Sequence, residues 1–134
     1  MVNMISIFLG IVFGSISYLV INFWMAPLLE YLKVKYHIAS DIVFYADIFD
    51  SSNQSPEYLE RKKRGQEEIR KHAAEILARY YTLPRWYRKY LKIVNESPVE
   101  VSKRLIGLSN YDNYENSVPL ARQVRELLRM PSDE

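Results

Sequence analysis

The N-terminal stretch of this chain, which carries almost no charge, constrains the fold more than any other feature. From Met1 to Tyr31 the only acidic or basic side chain is Glu30. The run Ile5–Met25 has 21 residues, of which twelve are Ile, Leu, Phe or Val. As a helix it would be about 31 Å long, which is close to the hydrocarbon thickness of a bilayer. The sequence therefore predicts a transmembrane anchor over residues 1–27.

Two other interpretations of this stretch are a cleaved signal peptide and a buried helix of a soluble protein. A signal peptide has basic residues before its apolar run and small residues at its cleavage site. No Lys or Arg precedes Ile5, and the sequence Phe23-Trp-Met-Ala-Pro27 has no small-x-small pattern. A buried helix would need the rest of a 134-residue chain to cover all of its faces. We therefore prefer the membrane anchor.

Basic residues near the ends of the anchor predict its orientation. None precedes it, whereas Lys33 and Lys35 follow it closely and Arg61–Arg64 adds four more bases. Short cytoplasmic segments next to a membrane helix are enriched in Lys and Arg. We therefore expect a single-pass protein of the inner (plasma) membrane, with its N-terminus outside and its C-terminal domain in the cytoplasm.

Small residues recur every four positions within the anchor, at Ser6, Gly10 and Gly14. This spacing places them on one helix face and includes a GxxxG pattern, which lets two membrane helices approach closely. The sequence predicts a pairing face for self-association or for another membrane protein. Glycine is also common in membrane helices without any pairing role, and that alternative stays open.

The remaining residues, 28–129, show apolar side chains at helical spacing and no alternating strand pattern. We expect an amphipathic exit helix from Leu28 to Phe49 and a second helix from Pro56 to Tyr81. Ser55 should cap the second helix, whose polar first half around Gly65 should project into solvent. The core-facing residues expected on the exit helix are Leu28, Leu32, Ala39, Ile42, Val43, Ala46 and Phe49.

Three further helices are expected after the break at Thr82-Leu-Pro84. The first is short, the second begins at the cap Ser97-Pro98, and the last is opened by Ser117 and Pro119 after a polar loop. Residues 130–134 read as a disordered tail. The predicted fold class is all-α, with one N-terminal transmembrane helix followed by a small amphipathic helical bundle that forms a cytoplasmic domain over residues 28–129.

The segment Arg79–Lys92 is the most distinctive part of the predicted bundle, with five bases, five aromatic residues and no acid. Bases near anionic headgroups gain about 1 kcal/mol each, and Trp favours the interfacial layer. Nucleic acid could use the same composition. A third interpretation makes Trp86, Tyr90 and Ile93 one wall of the bundle core. The residues expected to contact lipid or nucleic acid are Arg79, Arg85, Trp86, Arg88, Lys89 and Lys92.

The sequence shows no pattern typical of catalysis or of cofactor binding. It has no cysteine, which excludes disulfides and thiol chemistry, and four glycines, which leave little material for a phosphate-binding loop. Its two histidines, His37 and His72, lie in separate predicted helices, so a metal site would have to be assembled from distant carboxylates. We therefore expect no catalytic residue, no metal, no cofactor and no small-molecule substrate.

Three phrases of the sequence suggest a resemblance: Trp24-Met-Ala-Pro27-Leu-Leu-Glu-Tyr31, His72-Ala-Ala-Glu-Ile-Leu-Ala78 and Leu105-Ile-Gly-Leu-Ser-Asn110. Together the chain resembles a group of small, uncharacterised bacterial single-pass membrane proteins, in which a tryptophan-terminated helix precedes a helical soluble part. The resemblance implies an inner-membrane location and no known activity. In the last phrase, Gly107 should allow close packing and Asn110 suits a left-handed helix end.

The function predicted from these features is a membrane-anchored, non-catalytic protein-binding module of the adaptor or accessory type. Its partner would be a membrane protein recruited through the GxxxG face, through the amphipathic exit helix, or through both. The alternative is a tethered module that binds anionic lipid or, less favoured, nucleic acid through residues 79–92.

Overall fold

The computed structural model describes residues 2–46, 55–110 and 114–130, and it contains helices and no strand within those ranges. The expected all-α class is confirmed. In chain order the helices are α1 (Val2–Val20), a π-helical segment (Ile21–Met25), α2 (Ala26–Phe44), α3 (Pro56–Thr82), α4 (Arg85–Ile93), α5 (Pro98–Asn110) and α6 (Tyr114–Leu127).

The first three of these elements run on as one helix, Asn3–Phe44, of 42 residues. This helix is long and apolar enough to cross a membrane, and no residue of its most apolar window is covered by another part of the described chain. The structure therefore does not show the buried helix of a soluble core. Within the apolar run, the Asn22 side chain donates a hydrogen bond to the Tyr18 carbonyl at 2.9 Å, which satisfies part of its polarity.

The π-helical segment lies just before a proline in the sequence. Pro27 has no N–H with which to bond the carbonyl four residues earlier, so the ordinary ladder is interrupted there. The chain widens by one residue just before it, and the Ala26 N–H bonds instead to the Ile21 carbonyl. The helix thereby continues past the proline without a break.

The buried face of α2 consists of Tyr31, Val34, Ile38 and Ile42. Of the set expected from the sequence, Ile42 is buried, and Leu28 and Leu32 are partly buried against the core. Ala39 is also partly buried, whereas the prediction was wrong at Val43 and Ala46, whose side chains are exposed. The buried stripe includes Tyr31, Val34 and Ile38, which were not in the expected set, and Val43 lies about 100° past Ile42 around the helix. Phe49 lies outside the described residues.

Helix α3 begins as expected, with the Ser55 hydroxyl accepting from the Tyr58 N–H at 3.3 Å. Its second half contributes Ile69, Ala73 and Ile76 to the core. The expectation that its first half projects into solvent was wrong at Gly65, which is buried. The physical reason is that α3 packs along α2 from its first turns.

A contact near the start of α3 ties it to the end of α2. The Arg61 guanidinium donates to the Phe44 carbonyl at 3.2 Å and lies 5.3 Å from the centre of the Phe44 ring. A charged side chain thereby links the start of α3 to the end of α2, at a place where the sequence predicted only a solvated surface.

Two helix ends in the bundle use left-handed residues, Asn95 after α4 and Arg129 after α6, with φ of 58° and 52°. At the first, the Glu96 N–H bonds to the Leu91 carbonyl and the Asn95 N–H bonds to the Lys92 carbonyl, which is a Schellman motif. Asn110 was expected in such a conformation, but it belongs to α5 and its side chain accepts from Arg70 at 2.8 Å.

The last helix begins earlier than expected. It starts at Tyr114, so part of the predicted polar loop is helical, and Pro119 lies inside the helix. Proline this close to a helix start removes only one intrahelical hydrogen bond. Of the predicted tail, Met130 is partly buried against the core, and residues 131–134 lie outside the described ranges.

The core lies where α3 packs between α2 and α5, with α6 packed on α5. Leu120 of α6 approaches Gly107 of α5, and a Cβ at Gly107 would meet its Cδ1 at an ordinary contact distance of 3.8 Å. The buried apolar residues are Tyr31, Val34, Ile38, Ile42, Ile69, Ala73, Ile76, Leu83, Leu91, Val101, Leu105, Leu108, Val124 and Leu128.

A buried carboxylate joins α2 to the segment after α4. The side chain of Glu96 is 5% exposed, and it accepts from the Tyr31 hydroxyl at 2.6 Å and from the Lys35 ammonium at 2.9 Å. The Schellman motif at Asn95 turns the backbone so that Glu96 follows directly into the core. A buried charge with two donors is stable where an unpaired one is not.

Replacing Glu96 with alanine should therefore destabilise the protein by about 3 kcal/mol, because the Tyr31 hydroxyl and the Lys35 ammonium both lose their buried partner. Tyr31→Phe should cost about 2 kcal/mol, since a hydrogen bond to a buried carboxylate is lost. Thermal unfolding followed by circular dichroism in detergent measures both changes. The matched control is Glu126→Ala, an exposed carboxylate on α6. Equal melting temperatures for E96A and E126A would contradict this account.

Candidate functional site

Helix α4 lies beside the end of the apolar run of the first helix. The rings of Trp24 and Trp86 meet edge to face, with centroids 6.4 Å apart and an interplanar angle of 62°. These residues are 62 positions apart in the sequence, and each was singled out there for a different reason. The bundle therefore folds back so that the basic, aromatic segment stands next to the last turn of the apolar run.

The exposed face of α4 is its aromatic one. Leu91 is buried and Tyr87 is half-buried, whereas Trp86 and Tyr90 are each 50% exposed and Ile93 is 79% exposed. The interpretation of Trp86, Tyr90 and Ile93 as a wall of the core was therefore wrong. A helix of nine residues presents one stripe to the bundle, and the pair Tyr87 and Leu91, four residues apart, occupies it.

Four bases lie on the side of α4 next to this face. Arg85, Arg88, Lys89 and Lys92 line a shallow groove of about 220 Å³ together with Tyr80. Arg79, the fifth base of the predicted set, is placed elsewhere, since its guanidinium lies 3.6 Å from the Glu30 carboxylate of α2. The structure thus brings together Trp86 and four of the bases on α4, and it separates Arg79 from them.

Tyr87 connects the exposed face to the interior. Its ring contacts those of Trp86 and Tyr90, with both pairs of centroids 5.5 Å apart, and it meets Tyr31 edge to face at 6.3 Å. Burial and the nearby Glu96 carboxylate raise the pKa of Tyr87 above its ordinary value. A tyrosine is already neutral at physiological pH, and this shift keeps the Tyr87 hydroxyl neutral to a higher pH.

The small residues of α1 form an open strip. Ser6, Gly10 and Gly14 are exposed, and apart from the adjoining residues and the backbone of α1 itself no atom lies within 4 Å of a Cβ built at either glycine. Within the described chain nothing covers this face, so a second helix has room to approach it. The exit helix α2 buries one apolar stripe in the bundle core and leaves Leu29, Tyr36 and Val43, at seven-residue spacing, exposed.

A polar groove between α2 and α3 was missed by sequence reasoning. His72 Nε2 lies 2.5 Å from Asp41 Oδ2, and the His37 and His72 rings have centroids 6.5 Å apart. Glu68 completes a group in which one ligand atom each of Asp41, Glu68 and His72 lies within 4.8 Å of the others. The two histidines were treated as separate because they lie on different helices, and the packing of those helices brings them to one place.

A signal for this groove was present in the sequence. His37 and Asp41 are four residues apart, and so are Glu68 and His72. Each pair therefore shares one face of its helix. The pairing of the two helices, which decides whether the faces meet, is a tertiary property that the spacing does not contain.

The comparisons with known proteins find no matching family model, no matching curated protein and no matching solved structure. The resemblance to small bacterial single-pass proteins therefore stays a prediction. Any function must be argued from the surfaces described above.

Because the natural chain has no cysteine, the position of α4 can be tested by paired cysteines. A Trp24→Cys, Trp86→Cys double variant should crosslink with a short bismaleimide, since the two side chains are in contact. The control pairs Trp24→Cys with Leu59→Cys. Leu59 is exposed near the far end of α2, about 30 Å from Trp24. Equal crosslinking of the two variants within one chain would contradict the observed docking of α4.

Proposed function

We propose that this chain is a single-pass protein of the inner (plasma) membrane whose helical domain lies in the cytoplasm and acts by binding rather than by catalysis. The contact between Trp24 and Trp86 is the observation that carries the proposal, because it puts the exposed face of α4 at the end of the apolar run. A bundle held there works at the membrane surface.

The anchor and its orientation rest on the helix Asn3–Phe44 and on the bases that follow its apolar run. With the run Ile5–Met25 in the hydrocarbon, Trp24 reaches the headgroup layer, where tryptophan is enriched. Lys33 and Lys35 then lie on the cytoplasmic side, as the positive-inside rule requires. The resemblance to bacterial single-pass proteins implies the same placement.

The first target that we propose is the anionic inner leaflet. Trp86, Tyr90 and Ile93 offer apolar and aromatic surface for the interfacial layer, and the neighbouring bases offer charge for the headgroups. Trp86 and Tyr90 pack on Tyr87 with one side of each ring, and half of each side chain stays exposed. Tethering favours lipid over nucleic acid, because the membrane surface is always within reach of α4.

Trp86 can report this contact directly, because the chain has two tryptophans and Trp24→Phe leaves Trp86 as the only one. The protein is placed in nanodiscs that contain a lipid brominated close to its headgroup. This lipid should quench the Trp86 fluorescence more strongly when the other lipids include phosphatidylglycerol than when they are phosphatidylcholine alone. Adding Arg85→Glu, Arg88→Glu and Lys89→Glu should remove most of that quenching, since each base contributes about 1 kcal/mol near an anionic surface.

The matched control reverses three exposed bases outside α4, namely Lys63, Arg104 and Arg122. This variant changes the net charge equally and should keep the quenching of the unreversed protein. If the quenching is the same in both lipid compositions and in the α4 charge-reversed variant, the lipid contact is refuted and the proposed anchor is unaffected.

A second target is another helix in the same membrane, either a second copy of this chain or a partner protein. The observation that favours it is the uncovered strip at Ser6, Gly10 and Gly14. Because Leu29, Tyr36 and Val43 stay exposed on α2, the recruitment of a membrane partner would use α1, the exit helix or both. The module would then act as an adaptor.

Replacing Gly10 and Gly14 with isoleucine should weaken this association by about tenfold or more, since two branched side chains prevent close approach of the helix backbones. Crosslinking and co-purification in mild detergent measure the change. The control is Val12→Ile, which adds one methylene on the other side of α1. Association that survives G10I/G14I unchanged would remove the pairing role.

A further inference from the structure

Four side chains that commonly bind metals meet in the groove between α2 and α3. His37 and Asp41 come from one turn of α2, and Glu68 and His72 come from one turn of α3. Each helix therefore presents one imidazole and one carboxylate on a single face. The ligand atoms of Asp41, Glu68 and His72 lie within 4.8 Å of one another, and the two imidazole rings are 6.5 Å apart.

These distances are close to those of a tetrahedral zinc site. Metal–ligand bonds of about 2.1 Å separate neighbouring ligand atoms by about 3.4 Å. The ligand atoms of Asp41, Glu68 and His72 lie no more than 4.8 Å apart, so rotation of surface side chains can bring them, together with His37, to such distances. Such rotations are available, because the Asp41 side chain is 29% exposed and His37 is exposed.

His72 supplies a second, independent observation. Its side chain is 7% exposed, and its Nδ1 atom is buried without a hydrogen-bond partner among the described residues. The nearest acid on that side is Glu75, whose Oε2 lies 3.8 Å away. A histidine that binds a metal through one nitrogen usually donates its other N–H to a carboxylate, which fixes the tautomer. Glu75 stands where that carboxylate is needed.

The charges around the groove are compatible with a bound cation. Lys33 and Arg79 both lie beside the Glu30 carboxylate, at 3.0 Å and 3.6 Å. Lys71 is the remaining base among the residues that line the groove, against the carboxylates of the cluster and Glu75. A divalent ion would neutralise acids that the helix pairing brings together.

We propose that His37, Asp41, Glu68 and His72 bind one Zn²⁺ ion between α2 and α3, with Glu75 orienting His72. Two imidazoles and two carboxylates form a donor set that suits zinc, and among common divalent ions zinc binds such sites more tightly than manganese or iron does. The ion would crosslink α2 and α3, and it would fix the position of α3 along α2. This site is independent of the lipid and helix contacts proposed above.

The test uses the full-length protein in detergent, freed of metal with a chelator and without any histidine tag. Isothermal titration with Zn²⁺ should give one ion per chain, and Co²⁺ should produce the intense visible absorption of a tetrahedral complex. Asp41→Asn and Glu68→Gln should each weaken Zn²⁺ binding by about 100-fold, since each removes an anionic ligand. His37→Asn, at an exposed position, should weaken it by at least about tenfold without disturbing the core.

The matched control for Glu68→Gln is Glu67→Gln, an exposed carboxylate one residue away on another face of α3. It should bind Zn²⁺ like the natural chain. A second readout is the melting temperature, which Zn²⁺ should raise in the natural chain and in E67Q but not in D41N/E68Q. Equal Zn²⁺ affinity for the natural chain and D41N/E68Q, or no tetrahedral Co²⁺ spectrum, would overturn the site and leave His72 and Asp41 as a hydrogen-bonded pair.

Discussion

The structure depends on the continuity of its first helix, in which the apolar run and the exit helix form one rod from Asn3 to Phe44. The bundle is therefore built on an extension of the apolar run, with no linker between them. Every contact that α3 and the residues after α4 make with α2 also fixes their position relative to the apolar run. The meeting of Trp24 with Trp86 is a consequence of that arrangement. A domain on a flexible linker would present α4 in all directions, whereas this one presents it in a single place.

Polar contacts hold α2 in register on two of its sides. On one side Tyr31 and Lys35 share the buried Glu96 carboxylate, and on the other Asp41 meets His72. Apolar packing alone tolerates small slides of one helix along another, because hydrophobic contact has little directionality. Hydrogen bonds to buried carboxylates and imidazoles do not tolerate such slides, since a misplaced partner leaves a charged or polar group unsatisfied.

The sequence predicted the class of this fold well, because the relevant signals are local. The apolar run, the caps at Ser55 and Ser97 and the helical spacing of α3 all depend on neighbours within a few residues. Errors arose where distant residues decide the outcome. Tyr31 can be buried because its hydroxyl donates a hydrogen bond to Glu96, which lies 65 positions later in the sequence. Trp86 is exposed because Tyr87 and Leu91 occupy the side of α4 that faces the core. The groove with His72 was missed for the same reason, since spacing shows which residues share a face and does not show which faces meet.

The wide turn at Ile21–Met25 sets the angular phase between the two ends of the rod. A π turn holds more residues than an ordinary one, so everything after it is rotated about the helix axis by part of a turn relative to α1. The angle around the helix axis between the strip of small residues on α1 and the basic, aromatic helix α4 is therefore fixed. The wide turn takes up about one extra residue, so deleting one residue there would restore the regular ladder and leave the bundle near its present azimuth, whereas deleting one residue from α1 would turn the bundle by about 100° around the rod. Two copies paired along α1 would then aim their bundles in new directions, although every contact inside each bundle would be unchanged.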